Sequence, residues 1–500
     1  MNCECGGFER LLRFARNDNK MTNMNTLKRV ATDTKTYPTK ILQFGDGNFL
    51  RAFIDWMVQE LNNKTDFNAG ISVVKARPGT GKIGVLNNQD GLYTLLLNGI
   101  KNGEVVNENQ IIDVIQKGIL PYENYDEYIA EAANPELQFL VSNTTEAGIV
   151  FNPDDKLEDQ PQTSFPGKAT AFLYERFKIF NGDTSKGLIF MPCELIDNNG
   201  SKLREIVLKY ATLWNLEASF IEWIEKHNIF CNTLVDRIVS GYPKDSIESI
   251  EKDLGYTDPL LVAGEQYHLL VIDAPQIVQE KFPADKIGLN VVFTNDIKKY
   301  KTLKVRILNG SHTTLVSVAY LFGIDRVRES VENATVGNFL QAALSEEICA
   351  ILDFSDEELQ SYSNDILDRF RNPSIEHELM SISLNSISKF KERVLPSILD
   401  YIEQKNALPS RLVFALASLI TFYKGDRNGE AIALKDDPAI LDFFANQWAT
   451  NDIPALAKAT LSNTDLWDTD LTQYEGLVAR VTKNLEEIQS NGMEATLKSF

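Results

Sequence analysis

A lysine, an asparagine and a histidine lie close together in one short segment of the sequence. Lys304, Asn309 and His312 all fall within residues 304–312. Together they supply what hydride transfer to or from an alcohol carbon needs without a metal: a base for the hydroxyl proton, a neutral donor for the developing oxyanion, and a group that orients the substrate. A lysine can be that base only where burial or a neighbouring cation lowers its pKa towards neutrality. The triplet therefore predicts proton exchange with a hydroxyl or carbonyl group.

The spacing of the triplet decides whether one helix can present it. At about 100° per residue, Asn309 lies about 140° and His312 about 80° around an ideal α-helix from Lys304. Lys304 and His312 are then about 12 Å apart along the axis. We therefore expect the long lysine side chain and a disturbance of the helix at Gly310 to bring the three groups around one small substrate. Taken singly, Lys304 is also explained as a solvated helix lysine, and His312 as a core histidine.

A glycine-rich turn in the first part of the chain indicates a second site. Ile41–Phe44 has the pattern of a buried strand, Gly45, Asp46 and Gly47 follow it, and apolar residues recur at helical spacing from Asn48. In such a unit the first glycine permits the tight turn, and the second lets the backbone approach a pyrophosphate. The third glycine of the pattern is replaced by Leu50. The segment predicts a dinucleotide site, with an ordinary strand–helix turn as the alternative.

The residues after the second predicted strand, Ile71–Val74, bear on which dinucleotide binds. An acidic residue is expected near the end of this strand to bind the ribose hydroxyls. Lys75 and Arg77 stand there instead. Two cations could equally tolerate the 2′-phosphate of NADP, so these residues indicate the class of cofactor and leave NAD and NADP both open.

Two further loops belong at the carboxyl edge of the predicted sheet, where open α/β sheets bind ligands. Ser142–Glu146 follows the strand Gln138–Val141, and Cys193 and Glu194 follow the strand Leu188–Met191. Hydroxyl-rich loops also arise for ordinary turn reasons. A ligand role and a purely local role therefore both stay open for these loops.

The pattern along the chain predicts an α/β protein with two domains. Short β-branched runs alternate with amphipathic segments over residues 39–295, which is typical of a Rossmann-like doubly wound sheet. Residues 296–500 are predicted to form an all-α C-terminal domain, and residues 1–38 a polar extension in which Met21 and Met24 are equally good starts. A further strand is expected at Leu92–Leu97, and Leu269–Ile272 and Leu289–Phe293 could close the sheet. The predicted helices are Tyr122–Ala133, Lys168–Phe180, Gly200–Trp214, Leu303–Phe322, Val336–Leu352, Asp356–Arg371, Ile375–Tyr401, Leu412–Tyr423 and Ala439–Trp448.

Composition excludes several classes of function. Fifty Lys and Arg against 70 Asp and Glu give a formal charge of −20, which argues against a nucleic-acid or anionic-membrane surface. The longest apolar run, Leu412–Tyr423, is shorter than the roughly 20 residues of a membrane span. No secretory segment is visible, so a cytoplasmic location is expected. Five cysteines and four histidines form no zinc motif, so no metal is expected. The expected partner is a small-molecule substrate, with no nucleic acid and no membrane.

These motifs together resemble the mannitol dehydrogenase family, the polyol-specific long-chain dehydrogenases. The resemblance rests on Gly-x-Gly-x-Phe-x-Arg at Gly45–Arg51 and on Lys-x4-Asn-x2-His at residues 304–312, and it extends over nearly the whole chain from about Lys40. Val235–Ile238 and Arg369–Pro373 also resemble family signatures. The segments most similar to the hexuronate-reducing members of the family are Gln43–Phe53, Gln89–Thr94, Ser142–Gly148, Pro192–Asp197 and Ile307–His312.

The resemblance implies reversible, metal-independent reduction of a keto-hexuronate to an aldonate with NADH, in hexuronate breakdown. It implies that Lys304 is the general acid/base, Asn309 an oxyanion donor and His312 a partner of a substrate hydroxyl. Lys389 falls where the family keeps a lysine near the substrate, and Lys389 and Arg371 are candidates to bind the substrate carboxylate. The residues assigned to the cofactor are Gly45, Asp46, Gly47, Asn48, Phe49, Arg51, Asn143, Thr144 and Glu146.

Two departures from the polyol-specific members concern the substrate pocket. Those members carry an Asn shortly after the Cys193 position as a second oxyanion donor, where this chain has Leu195. They also carry an Arg eight residues before the Lys389 position, where this chain has Ser381. A pocket rebuilt for a uronate carboxylate would explain both changes; a different second donor acting with Asn309 is the alternative.

Two other functions remain to be weighed. A reductase of a sister hexuronate, or a dehydrogenase of a free polyol, would share cofactor and mechanism and differ only in the pocket. A catalytically silent nucleotide-binding or redox-sensing protein could keep the fold without the chemistry. The intact triplet of Lys304, Asn309 and His312 argues against a sensor, because a sensor has no need of a proton-transfer group.

Overall fold

The computed structural model describes residues 25–29, 32, 34–101, 103–145 and 147–500. It divides into two compact units: residues up to Asn98 with Asn107–Ile297, and Gly99–Val106 with Lys298–Phe500. Most of the predicted extension, residues 1–38, lies outside the described residues. In its described part, Leu27 is buried, and the Arg29 guanidinium donates to the backbone carbonyls of Asp90, Asp113 and Ile115. These residues are therefore fixed to the first unit.

Within the described residues, the first unit is built on a parallel sheet of six strands. In chain order they are β1 (Thr39–Phe44), β2 (Gly70–Val74), β3 (Ile115–Ile119), β4 (Phe139–Ser142), β5 (Ile189–Pro192) and β6 (Ile229–Phe230). Their spatial order is β3-β2-β1-β4-β5-β6, and all neighbours are parallel. This is the order of a Rossmann sheet, and it reverses between β1 and β4. The predicted fold class is confirmed.

The sheet is covered on both faces, which explains why its strands are nearly continuous apolar runs. Successive strand residues alternate between two hydrophobic cores: Ile41 and Val73 belong to one, and Leu42 and Val74 to the other. The helix Ile54–Lys64 buries Met57, Val58 and Leu61 in the first core. The helices Phe165–Ile179, Asn199–Leu213 and Ala218–His227 cover the other face. The remaining α-helices in the described part of this unit are Asn48–Arg51, Ile83–Asn88, Tyr125–Ala130, Ile247–Leu254 and Ile277–Lys281.

Three strand predictions need correction. The strand expected at Leu92–Leu97 is Tyr93–Lys101, and it pairs outside the main sheet, between Val262–Glu265 and Glu104–Ile112. The two later apolar runs do not close the main sheet, because Leu269–Asp273 pairs with Val291–Thr294 and Asn232–Asp236 in a separate sheet. Strands β3 and β6, the two edge strands of the main sheet, were not predicted. Apolar pattern shows that a strand exists but not which strand it pairs with.

The second unit is helical, as predicted, with small exceptions. Its first α-helix is Ile297–Leu303. The α-helices that follow are Gly310–Phe322, Val327–Glu332, Ala334–Ala342, Asp356–Arg371, Leu379–Ile382, Ser386–Arg393, Leu395–Lys405, Ser410–Phe422, Pro438–Ala449, Ile453–Ser462, Thr464–Trp467, Leu477–Asn491 and Met493–Leu497. Residues 375–401, predicted as one helix, contain three, since Asn385 (φ 53°) and Val394 interrupt them. Asp426–Arg427 and Glu430–Ala431 form a short antiparallel hairpin.

Among the described residues, no helix has both the length and the apolar content that crossing a bilayer would require.

Candidate active site

The turn after β1 is shaped by two glycines with different requirements. Gly45 has φ +125°, in the region that favours glycine, and its N–H donates to the Val74 carbonyl at 3.1 Å. A Cβ on Gly45 would lie 2.9 Å from the Asn143 carbonyl oxygen, so β1 and β4 leave no room for a side chain. A Cβ on Gly47 would meet nothing within 4 Å. Gly45 thus serves the turn, whereas Gly47 leaves open space over its backbone.

The helix expected to start at Asn48 is not continuous. A single turn, Asn48–Arg51, is followed by a break at Ala52 and Phe53, and the longer helix begins at Ile54. Phe49 stacks on Phe53 with ring centroids 4.9 Å apart. Phe49, which is half-buried, therefore contributes to the packing of the turn.

Arg51, predicted to bind the cofactor, is instead an internal support of the turn. Its side chain is only 2% exposed. The guanidinium donates to the Leu260 carbonyl and to Asn48 Oδ1, and it lies 5.1 Å from the centre of the Tyr93 ring. Tyr93 OH donates in turn to the Arg51 carbonyl at 2.6 Å. The buried Arg51 side chain therefore holds Asn48 and the turn in place from the interior of the unit. It is not exposed for contact with a nucleotide.

Asp46 is the ionised group of the turn. Its Oδ1 pairs with Lys75 Nζ at 2.8 Å, and its Oδ2 accepts from the Lys82 backbone N–H at 2.8 Å. Burial alone would raise the pKa of Asp46, but these hydrogen bonds and the Lys75 charge outweigh it, so the pKa lies below its usual value. Asp46 is therefore a carboxylate held by the end of β2 and by the loop that follows it.

Lys82 was not singled out from the sequence. Its Nζ donates to Asn48 Oδ1, which also accepts from Arg51. Burial, together with the Arg51 charge, lowers the pKa of Lys82 to about 8. The two glycines before it in the loop after β2, Gly79 and Gly81, are the sequence signal that could have identified Lys82. Both adopt positive φ in the structure.

The loops after β4 and β5 are joined through a buried carboxylate. Glu194 Oε1 accepts from Thr144 N at 2.9 Å and from Thr144 Oγ1 at 2.8 Å, and Oε2 accepts from Ser142 Oγ at 3.0 Å. Burial raises the pKa of Glu194 despite these bonds. Asn143 Nδ2 donates to the Cys193 carbonyl at 2.6 Å. Thr144 and Glu194, both buried, therefore set the shape of the carboxyl edge; Glu146 lies outside the described residues.

A cleft of about 480 Å³ opens at this edge of the first unit, between the loops after β4 and β5. Its lining includes Asn143, Thr145, Glu194 and Leu195. Leu195 is 62% exposed, which is unusual for a leucine and places an apolar side chain where polyol-specific relatives were expected to carry an amide. The size suits a small ligand or part of a dinucleotide.

These features fit a dinucleotide, although no ligand is part of the structure. The strand order reverses at β1 and β4, where such cofactors bind. The open backbone at Gly47 and the nearby Lys82 amine suit a pyrophosphate, while the Asp46 carboxylate suits a ribose hydroxyl. No group of three His, Cys, Asp or Glu side chains in the described ranges could hold a metal ion.

The triplet of the second unit lies on a helix whose geometry changes within it. Residues Lys304–Asn309 form a π-helix, and the α-helix Gly310–Phe322 follows without a break in the chain direction. Because π-helix hydrogen bonds join residues five apart, Asn309 comes nearer to the face of Lys304 than in an α-helix. The expected disturbance is therefore present, but it precedes Gly310, whose own backbone is α-helical (φ −63°, ψ −46°).

His312 lies in a mainly aromatic environment. Its ring stacks on Phe370 at 4.1 Å and meets His377 edge-on at 5.2 Å. Burial lowers the pKa of His312 well below its usual value, and the charges of His377, Arg369 and Arg393 add to this effect. His312 is thus a neutral ring at pH 7, suited to exchange hydrogen bonds with a hydroxyl group. His377 and Arg393 were missed by the sequence analysis because only packing brings them here.

Lys389 lies on the helix Ser386–Arg393, which packs against Gly310–Phe322. A Cβ on Gly310 would lie 3.2 Å from the Arg393 carbonyl, so the two helices approach closely at this point. Lys389 Nζ donates to the Ile382 carbonyl at 2.7 Å, and burial, aided by the Arg393 charge, lowers its pKa. Its stem lines a small cavity with Thr313 and Ser317.

Arg371, the second candidate for the substrate carboxylate, ends the helix Asp356–Arg371. Its side chain is 41% exposed, and its Nη1 lies 3.5 Å from Asp368 Oδ1 on the same helix. The residue before it, Phe370, stacks on His312. The helix thus brings Phe370 to the triplet and leaves Arg371 in an ordinary surface ion pair.

Models of two domain families match the chain. The Rossmann domain of mannitol dehydrogenases matches residues 39–286, and the C-terminal domain of mannitol dehydrogenases matches residues 296–489. The chain belongs to the mannitol dehydrogenase family. The resemblance inferred from the motifs is thereby confirmed.

Relatives within the mannitol dehydrogenase family are similar over nearly their full length. The chain is 49% identical to altronate oxidoreductase of Bacillus subtilis, covering 95% of this chain and 97% of the relative. It is 45% identical to altronate oxidoreductase of Pectobacterium carotovorum, covering 95% and 100%. Two solved structures share the fold: Pseudomonas fluorescens mannitol 2-dehydrogenase in complex with NAD and D-mannitol (22% identity, 96% and 98% covered, TM-score 0.62) and a D-sorbitol dehydrogenase (21%, 95% and 100%, TM-score 0.76).

Proposed function

We propose that this chain is an altronate oxidoreductase, also called tagaturonate reductase, which interconverts D-tagaturonate and D-altronate with NADH in hexuronate catabolism in the cytoplasm. The observation that carries the proposal is the 45–49% identity, over about 95% of the chain, to relatives of that name. The matched region covers 95% of the chain and therefore spans both units. It therefore favours the same substrate as well as the same fold.

The first unit holds the dinucleotide in this proposal. The bound cofactor supplies a hydride to the carbonyl carbon during reduction and accepts one during oxidation. Gly47 lets the pyrophosphate approach the backbone, Lys82 supplies positive charge beside it, and Asp46 faces the ribose. Asn143 and Thr145 line the adjoining cleft. Glu194 acts indirectly, since it fixes Thr144 and hence the loop that carries these residues.

The second unit provides the proton in this proposal. Lys304 Nζ gives a proton to the carbonyl oxygen during reduction and takes it back from the hydroxyl during oxidation. Asn309 donates a hydrogen bond to the same oxygen while negative charge develops on it. The π-helix favours this pairing because it brings residues five apart towards one face.

His312 binds a second hydroxyl of the sugar acid. As a neutral ring it can donate or accept a hydrogen bond. It therefore orients the substrate and leaves the proton transfer to Lys304. Stacking on Phe370 and the edge contact with His377 fix the plane of its ring. A fixed ring selects the stereochemistry of the hydroxyl that it contacts.

Lys389 is the better candidate than Arg371 for the substrate carboxylate. The helix of Lys389 packs directly on the helix of His312, and the Ile382 carbonyl uses one of the three ammonium protons. Arg371 already pairs with Asp368. Ser381, at the position where the polyol-specific members carry an arginine, lies in the helix Leu379–Ile382, whose last residue accepts the Lys389 hydrogen bond.

A substrate panel tests the proposal. NADH and NADPH oxidation should be measured with D-tagaturonate, D-fructuronate and D-fructose, and we expect the highest kcat/KM with D-tagaturonate. A preference for D-fructuronate or D-fructose would replace the proposal by the sister reductase or the polyol dehydrogenase. Cofactor binding without turnover of any of the three sugars would establish a silent sensor instead.

A further inference from the structure

The position that normally reads the cofactor ribose carries the wrong charge in this chain. An acidic residue is expected at the end of β2, and Lys75 stands there. The structure supplies a carboxylate to the same place from another element. Asp46, in the turn after β1, pairs through Oδ1 with Lys75 Nζ at 2.8 Å, and both side chains are less than one fifth exposed.

The loop after β2 fixes this ion pair. The Lys82 N–H donates to Asp46 Oδ2 at 2.8 Å. Gly81 has φ +52°, and a Cβ on it would collide with both Asp46 Oδ2 and Lys75 Nζ. Glycine at this position lets the loop close over the pair, and hydrogen bonds from Lys75 and from the Lys82 backbone hold the carboxylate in place.

The neighbouring cations hydrogen-bond to neutral groups. Arg77 Nη2 donates to Thr145 Oγ1 at 2.9 Å, and Lys82 Nζ donates to Asn48 Oδ1. Lys75 is the cation of this group that is paired with a carboxylate. A 2′-phosphate placed here would be repelled by the Asp46 carboxylate, which also neutralises the charge of Lys75. A ribose hydroxyl, in contrast, could donate a hydrogen bond to a remaining lone pair of Asp46.

We propose that Asp46 selects NADH over NADPH, by accepting a ribose hydroxyl and by cancelling the charge of Lys75 that would otherwise bind the 2′-phosphate. The acidic residue that contacts the ribose thus lies in the turn after β1 and not at the end of β2. The inference rests on the dinucleotide of the proposed function and is independent of the sugar substrate.

Binding measurements without any sugar test the inference. NADH and NADPH are titrated into the full chain by calorimetry for the wild type, Asp46→Asn, Lys75→Met and the double variant. Asp66→Asn is the matched control, because it makes the same charge change at an exposed residue before the amino end of β2. We expect the wild type to favour NADH by about tenfold or more, and Asp46→Asn to tighten NADPH by about tenfold.

The double variant separates charge from structure. If Lys75 receives the 2′-phosphate once Asp46 is neutral, adding Lys75→Met should abolish the gain in NADPH affinity. Lys75→Met alone should leave NADPH weak, which keeps the inference testable if Asp46→Asn fails to fold. Equal affinity of the wild type for both cofactors would overturn the inference, as would an NADPH gain in Lys75→Met or an effect of Asp46→Asn no larger than that of Asp66→Asn. Retained NADH selectivity without turnover of D-tagaturonate would instead overturn the proposed function alone.

Discussion

Two substitutions in the same turn, Gly45→Ala and Gly47→Ala, should separate folding from cofactor binding. At Gly45 the alanine must adopt φ +125°, which costs about 1–3 kcal/mol for a residue with a side chain. Its Cβ would also lie 2.9 Å from the Asn143 carbonyl, so β1 and β4 must move apart. We expect the free energy of unfolding to fall by about 2–6 kcal/mol, the sum of this strain and an overpacking cost of about 1–3 kcal/mol.

At Gly47 the alanine should leave the fold unchanged. Gly47 is exposed, has φ −72°, and a Cβ there meets no atom within 4 Å. The free energy of unfolding should change by no more than about 0.5 kcal/mol. The new methyl group would, however, occupy the space that the pyrophosphate needs, so NADH affinity should fall by about tenfold or more.

Thermal unfolding and calorimetric titration with NADH measure the two effects in the same samples. For a unit of this size each kcal/mol corresponds to about 2–4 °C, so Gly45→Ala should unfold several degrees earlier and Gly47→Ala at the wild-type temperature. A Gly47→Ala variant that binds NADH like the wild type would refute the placement of the cofactor over this turn. A Gly45→Ala variant of unchanged stability would refute the steric argument.

Three further predictions concern single side chains. Lys304→Ala should lower kcat/KM for D-tagaturonate by at least about 100-fold while NADH still binds, with the exposed Lys301→Ala as control; near-normal turnover would remove the lysine from the mechanism. Glu194→Ala should lower the free energy of unfolding by about 3 kcal/mol, because three hydrogen bonds lose their buried acceptor, and equilibrium denaturation that shows no loss would contradict that role. Burial raises the pKa of Asp55 to about 7, so the folded state binds the extra proton and stability falls as the pH rises from about 4 to 7. Asp55→Asn should remove this part of the pH dependence, and an unchanged slope in denaturation at pH 5 and pH 8 would show that Asp55 is not its source.

Local signals were enough to find the centre of the nucleotide unit. Gly45 and Gly47 follow a buried strand, and the structure gives them the tight turn and the open backbone that this spacing predicts. Arg51 belongs to the same motif but is buried, because its role depends on Leu260, which is far away in the sequence. A motif identifies the residue types, whereas the partner of each side chain is decided by packing.

The sequence by itself determined the turn after β1, the triplet at residues 304–312 and the doubly wound class, because each depends on residues close together in the chain. Tertiary structure alone decided that Tyr93–Lys101 pairs outside the main sheet, that Glu194 holds Thr144, and that the helix at Lys304 widens before Gly310. It also decided that Asp46 meets Lys75, whose separation of 29 residues hides the pair from any periodic pattern. Side chains from distant segments acquire their partners only when the sheet forms, and the charge at the cofactor edge is set at that step.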